Sequence, residues 1–293
     1  MTFSKRHHYI PKFYLKGFTD SKDKFSIYDI ERKVLKSKDF STKTHFYEEN
    51  RNTFDFANTK TDYLEDVYQK IEDKLKHVFL ELQQALGPIQ ITSEKIFSIQ
   101  LFIYSTYWRL PKLDGQMIEL LKDIDPRKLG YKIIDTKTGK SAPDEVYKQM
   151  VSDKNFIESY RAAYPLMQFM KCDENLDLEN WRIYYSKTGG KHICGDYPIV
   201  LRDTNNHNIL NNEILFPLTK KQMLVRTKKT YIIKELPPEF SLKLDLIIFL
   251  QSKKYVCCSD RSYLEMLSHL KEAYKTKVSL LKNELFEYLD ENN

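Results

Sequence analysis

Between Ser93 and Arg109 the chain reads SEKIFSIQLFIYSTYWR. Ile96, Phe97, Ile99, Leu101, Phe102, Ile103, Tyr104, Tyr107 and Trp108 leave a helix here with almost no polar face. A helix apolar all round has to be enclosed by other elements, so the fold is expected to wrap around this segment, which Pro111 stops. Candidates for the enclosing layers lie on both sides. Residues 61–86 carry apolar positions three and four apart, from Tyr63 and Leu64 to Leu82 and Leu86, the pattern of a one-faced helix. Thr59 or Thr61 is placed to cap it and Gly87-Pro88 to end it. Further helices are expected near 113–123 and over 143–172, with Pro165 kinking or dividing the second.

Elsewhere the pattern is strand-like. KFSIYDIERKVLK at 24–36 reads as a β-hairpin around a polar turn. From Trp181 onward WRIYYS, HICGDYPIVL, NEILFPLT, QMLVRT and TYIIK are short, β-rich and separated by turn residues. A segment near 239–252 then leads to a long terminal helix starting near Ser259-Asp260, with Leu264, Leu267, Leu270, Tyr274, Val278, Leu281 and Leu285 on one face. These elements give an α+β fold: a helical N-terminal half with a β-hairpin, and a strand-rich C-terminal sheet closed by the terminal helix. No low-complexity linker or repeat interrupts the chain. We expect a single domain, 1–293, in two lobes: a helical lobe at about 41–175 and a strand-rich lobe at about 181–293, joined by 1–40.

Composition narrows the function classes. With 8 glycines in 293 residues, and neither G-x-x-x-x-G-K nor G-x-G-x-x-G, Gly-rich phosphate loops are excluded. A net charge of +6 favours polyanionic partners, RNA or DNA first. Cys172, Cys194, Cys257 and Cys258 have no C-x-x-C spacing and read as reduced thiols. The start lacks an apolar signal region, and no stretch reaches the roughly 18 apolar residues of a spanning helix, so a cytoplasmic protein without membrane contact is expected.

The opening KRHHYIPKFYLKGF, Lys5 to Phe18, is unusual for a terminus. It is followed in order by IYDIERKVL, HFYEEN, YLEDVYQKIEDKL, YWRLP, WRIYY, CGDYPIV and FPLTKKQMLV. This succession resembles the bacterial family named domain of unknown function 4238, over nearly the whole chain. The resemblance implies a bacterial or phage-related intracellular protein and carries no activity with it. Where the family usually has Ser-Asp-Asn-Pro, this chain has Gly195-Asp196-Tyr197-Pro198, without the serine and the asparagine.

Two candidate centres stand out. In extended backbone, which the Ile-Pro step favours, His7 and His8 point to opposite faces. One imidazole can then serve as general base or metal ligand while the other anchors to the core; a structural pair beside a docked segment is the simpler alternative. Asp196, held between Gly195 and Tyr197-Pro198, is a fixed carboxylate suited to a metal ligand or an orienting acid, or is a turn aspartate bonding its own backbone. With His8 it would hold a divalent metal ion. Glu65 and Glu72 share a helix face and are read as solvated. Arg109 either binds the carbonyls ending its helix or recognises an anion. Lys5, Arg6, Lys220 and Arg226, interleaved with Tyr14, would supply a phosphate clamp and a stacking ring. Two functions follow. One is an intracellular, nuclease-like hydrolase of the phage-defence or toxin type, with His7, His8 and Asp196 catalytic. The other is a non-catalytic binding or regulatory protein whose HHYIP motif is a structural clasp.

Overall fold

The computed structural model describes residues 5–56, 59–170, 178–186, 191–206, 208–229, 233 and 235–292. In chain order the elements are β1 (Arg6–His8), α1 (Lys12–Leu15), β2 (Ser26–Asp29), β3 (Val34–Leu35), β4 (Tyr47–Glu49), β5 (Phe54–Phe56) and β6 (Thr59–Thr61). The helices α2 (Tyr63–Gln84), α3 (Ser93–Arg109), α4 (Asp114–Lys122), α5 (Asp144–Met150) and α6 (Lys154–Met170) follow. Then come β7 (Trp181–Tyr185), β8 (Cys194–Gly195), β9 (Val200–Leu201), β10 (Ile214–Thr219), β11 (Gln222–Arg226), α7 (Pro238–Gln251), β12 (Tyr255–Cys258), α8 (Arg261–Tyr274) and α9 (Val278–Glu291). The fold is α+β.

As its composition requires, α3 is enclosed: from Phe102 to Arg109 every side chain is buried, and Thr92 caps its start by accepting from the Lys95 N–H at 3.3 Å. The sheet β7-β11-β10-β9 lies between two cores. Ile214, Phe216 and Leu218 of β10 join the core built with α2 and α3, whereas Leu215 joins the core built with α7, α8 and α9. Period-two alternation therefore buries both faces of this strand, which explains its uninterrupted apolar run. The second sheet, β3-β2-β12-β8, takes in the N-terminal hairpin through pairing of Ser26–Asp29 with Tyr255–Cys258.

Several boundaries differ from expectation. The stripe beyond residue 259 is carried by two helices, α8 and α9, with a break between Tyr274 and Val278. The stretch 143–172 divides at 151–153 into α5 and α6, where Asp153 accepts the Phe156 N–H; α6 runs on through Pro165. HICGDYPIVL forms two short strands, β8 and β9: the Asp196 N–H still donates to the Tyr255 carbonyl of β12 at 3.0 Å, and Tyr197 to Ile199 leave the ladder. Asp62, not Thr59 or Thr61, occupies the cap position of α2, though the Thr61 hydroxyl accepts the Tyr63 N–H at 3.2 Å. Apart from Ile233, the strand expected at TYIIK lies outside the described residues, as does Cys172. The other three cysteines are free and buried, and among the described residues no helix is long and apolar enough to cross a membrane.

Candidate functional site

The opening stretch is docked. Arg6, His7 and His8 pair antiparallel with Glu49, Glu48 and Tyr47, so β1 is an edge partner of β4 and joins neither large sheet. Pro11 then starts the short helix α1, which drives Tyr14, Leu15 and Phe18 into the core. The Tyr14 ring stacks on Phe216 at 5.3 Å and its hydroxyl donates to the Pro217 carbonyl at 2.6 Å. Tyr14 is 0% exposed, so it is a core residue with no face open to a nucleic-acid base.

The two imidazoles diverge, as extended backbone demands. His7 is fully buried, and its Nδ1 accepts the Asn52 backbone N–H at 2.8 Å, which places the ring proton on Nε2. That nitrogen lies 4.0 Å from an Asp62 oxygen. His8 packs beside the Tyr47 ring. Burial, with Lys12, Arg109 and Arg6 close by, pulls its pKa down to about 4 against a backbone hydrogen bond with Thr42. Such an imidazole is neutral at pH 7 but too weak a base for efficient proton abstraction there.

Asp196 is neither a turn aspartate bonded to its own loop nor a partner of these rings. Its Oδ1 accepts the Lys253 N–H at 2.9 Å and its Oδ2 the Lys254 N–H at 2.6 Å, so it fixes the turn between α7 and β12. Burial pushes its carboxyl above the usual range, opposed by those two N–H donors, the Ser252 hydroxyl and the charge of Lys112. Lys112 lies over the Tyr197 ring at 4.0 Å and donates to the Gln251 carbonyl; burial and repulsion from Lys253 bring its pKa down to about 8. No hydrogen bond or ion pair joins His7 or His8 to Asp196, and no group of three or more metal-ligating side chains occurs among the described residues.

The expected clamp is dispersed. Arg109 is buried: it donates to Glu72 at 2.8 Å and to the His8 carbonyl at 2.6 Å, and lies 4.1 Å from the Tyr68 ring centre. Glu65 accepts from the Asn52 side-chain amide, so neither acid of that helix face is merely solvated. Lys220 donates to the Thr19 carbonyl, and Arg226 donates to the Asn212 carbonyl beside Trp181. Lys5 and Arg6 are exposed, with Arg6 over the Tyr47 ring.

What the fold does assemble is a charged cleft of about 510 Å³, lined by residues 47–51, Asp114, Lys154, Glu158 and Lys254. An ordered chain of alternating charges underlies it. Lys254 meets Glu48 at 2.7 Å, Glu48 meets Arg51 at 2.6 Å, and Arg51 forks onto Asp114 at 2.6 and 3.1 Å. Asp114 also accepts from Arg161 at 2.6 Å, and Arg161 lies 3.7 Å from Glu158. Bidentate guanidinium–carboxylate geometry makes the middle of this chain rigid. At its end Glu158 is different: burial raises its pKa, opposed by Arg161, Arg51 and Lys154 and reinforced by Asp114.

The earlier candidates therefore bond backbone that adjoins the cleft's lining residues. Asp196 holds the backbone that carries Lys254, His7 the backbone after Arg51, and Arg109 the strand that pairs with β4. The family model described as "Protein of unknown function (DUF4238)" matches residues 6–262. The chain belongs to this family. No curated protein and no solved structure matches it. The match spans the clasp and every lining residue of the cleft.

Glu48 and Arg51 fall in and just after HFYEEN, and neither carried a chemical signal of its own. Asp114 and Lys254 had no sequence signal. Glu158 and Arg161 had a faint one: an acid and a base three apart inside the mostly apolar FIESYRAAYPL.

Proposed function

We propose that this chain is a non-catalytic binding or regulatory protein whose HHYIP motif is a structural clasp and whose ligand occupies the cleft between Tyr47 and Lys254. One observation carries this reading. The candidate catalytic side chains each bond backbone: His7 Nδ1 accepts from Asn52, both Asp196 oxygens accept from Lys253 and Lys254, and His8 bonds Thr42 while both Nε2 atoms are buried. A general base or metal ligand needs a lone pair facing substrate. A clasp needs the arrangement found here, in which side chains close distant segments by bonding their backbones. The nuclease reading keeps only the modest positive charge and the exposed Lys5-Arg6 in its favour.

The test is incubation with single- and double-stranded RNA and DNA, with Mg²⁺, with Mn²⁺ and with a chelator. The clasp reading expects no cleavage under any of these conditions. Cleavage by the parent that disappears in His8→Ala or Asp196→Ala, with the variants still folded, would overturn it in favour of the hydrolase.

A further inference from the structure

Resting on the reading of the cleft as a ligand site, the structure assigns it a chemical class: we propose that it binds a small ligand bearing a guanidinium or ammonium group, which donates to Glu158. The argument is one of unfilled valence. Glu158 accepts no hydrogen bond from any described residue, and its nearest guanidinium nitrogen, on Arg161, stands off at 3.7 Å although the carboxylate is only 13% exposed. A carboxylate withdrawn from water is costly without donors. The strong cationic donors of the cleft are already engaged: Arg51 holds Glu48 and Asp114, Arg161 holds Asp114, and Lys254 holds Glu48. Glu49, an exposed acid on the same wall, likewise has no side-chain partner among the described residues. The vacant capacity is thus mainly acceptor capacity, and Lys154 is the one lining cation with no hydrogen-bond partner among the described residues. In a chain of net charge +6, the lining holds four acids (Glu48, Glu49, Asp114, Glu158) against three cations (Arg51, Lys154, Lys254), with Arg161 buried beneath. The volume of about 510 Å³ falls in the range of small-molecule sites, roughly 300–1,000 Å³.

The groups facing Glu158 are Arg161 and Lys154 on its own helix, Arg51 from the loop after β4 and Asp114 from α4. Burial holds back its ionisation, so wherever the free protein still carries the Glu158 proton, an incoming cation favours the ionised form and that proton goes to buffer. Binding therefore strengthens as pH rises through the Glu158 titration.

Calorimetry with agmatine, arginine and putrescine, in two buffers of different ionisation heat, tests this. On the acid side of the Glu158 titration, agmatine should bind with proton release. Glu158→Gln should weaken it by about ten- to a hundred-fold, the loss of one charge-assisted hydrogen bond, and abolish the release. Glu49→Gln, at an exposed position, should weaken it less, and thermal unfolding of both variants checks that they fold. No binding of any of the three cations, or binding that Glu158→Gln leaves unchanged, would overturn the inference. If glutamate or inorganic phosphate binds instead and Lys154→Ala removes it, the binding reading stands and the cationic class falls. Nucleic-acid cleavage that disappears in folded His8→Ala or Asp196→Ala, in the assay above, would remove the binding reading itself, whatever the cleft holds.

Discussion

At the scale of single residues, His8 shows how burial converts a reactive-looking side chain into a structural one. Its pKa of about 4, and the similar value of His45 beneath Phe40 and Tyr255, both lie below the ordinary 6.5. For such a group the sign is fixed: above about pH 6.5 neither folded nor unfolded chain holds the proton. Between 6.5 and about 4 the unfolded chain takes it up and the folded one refuses it, so stability falls as pH falls through that window. Urea unfolding midpoints of the parent should accordingly drop across this range, and His8→Gln should flatten part of the drop. A variant whose pH profile parallels the parent's would mean that the ring titrates in the fold as it does in water.

At the scale of elements, Gly195 in β8 illustrates a fit that only the packed structure reveals. A Cβ built there would lie 2.1 Å from the Ser252 hydroxyl oxygen and 3.1 Å from Ile248 Cγ2. The space a side chain would take is already filled by the residue that caps α7, itself bonded to the Ile248 carbonyl at 2.7 Å. Gly195→Ala should lower the unfolding free energy by about 1–3 kcal/mol from overpacking, against the smaller gain an alanine brings by restricting the unfolded chain. Adding Ser252→Gly should return part of that loss. A Gly195→Ala protein as stable as its parent would contradict the packing described. The element scale is also where the sequence is most readable. The enclosure of α3, the apolar stripe of α2 and the hairpin β2–β3 all follow from hydrophobic period, a local signal. The split of the final stripe into α8 and α9, and the break between β8 and β9 after Asp196, do not. The apolar spacing continues across the 275–277 break, and the Asp196 side chain is held by amides nearly sixty residues away in the chain.

At the scale of the whole molecule, the cleft exists because segments far apart in sequence meet. Lys254, Glu48, Arg51, Asp114, Arg161 and Glu158 come from the turn before β12, from β4 and its following loop, and from α4 and α6. Charged residues on amphipathic elements read one at a time as solvated faces, which is why the sequence pointed to His7, His8 and Asp196 and passed over their neighbours. The motifs it singled out are nonetheless located at this junction, as supports. Asp196 fixes the turn that brings Lys254 to Glu48, and Lys112, beside it, reaches back to the Gln251 carbonyl. Removing a support and removing a catalytic group have opposite signatures in stability. Polar residues placed for catalysis are commonly neutral or costly to the fold, so replacing them leaves stability unchanged or raises it. A carboxylate that satisfies two backbone donors is different, because its loss leaves both N–H groups without an acceptor. The most direct test is therefore the unfolding free energy of Asp196→Ala in urea at neutral pH, measured beside the parent. A decrease of about 1–3 kcal/mol is predicted; a value equal to or above the parent's would contradict the clasp and return Asp196 to the candidates for chemistry.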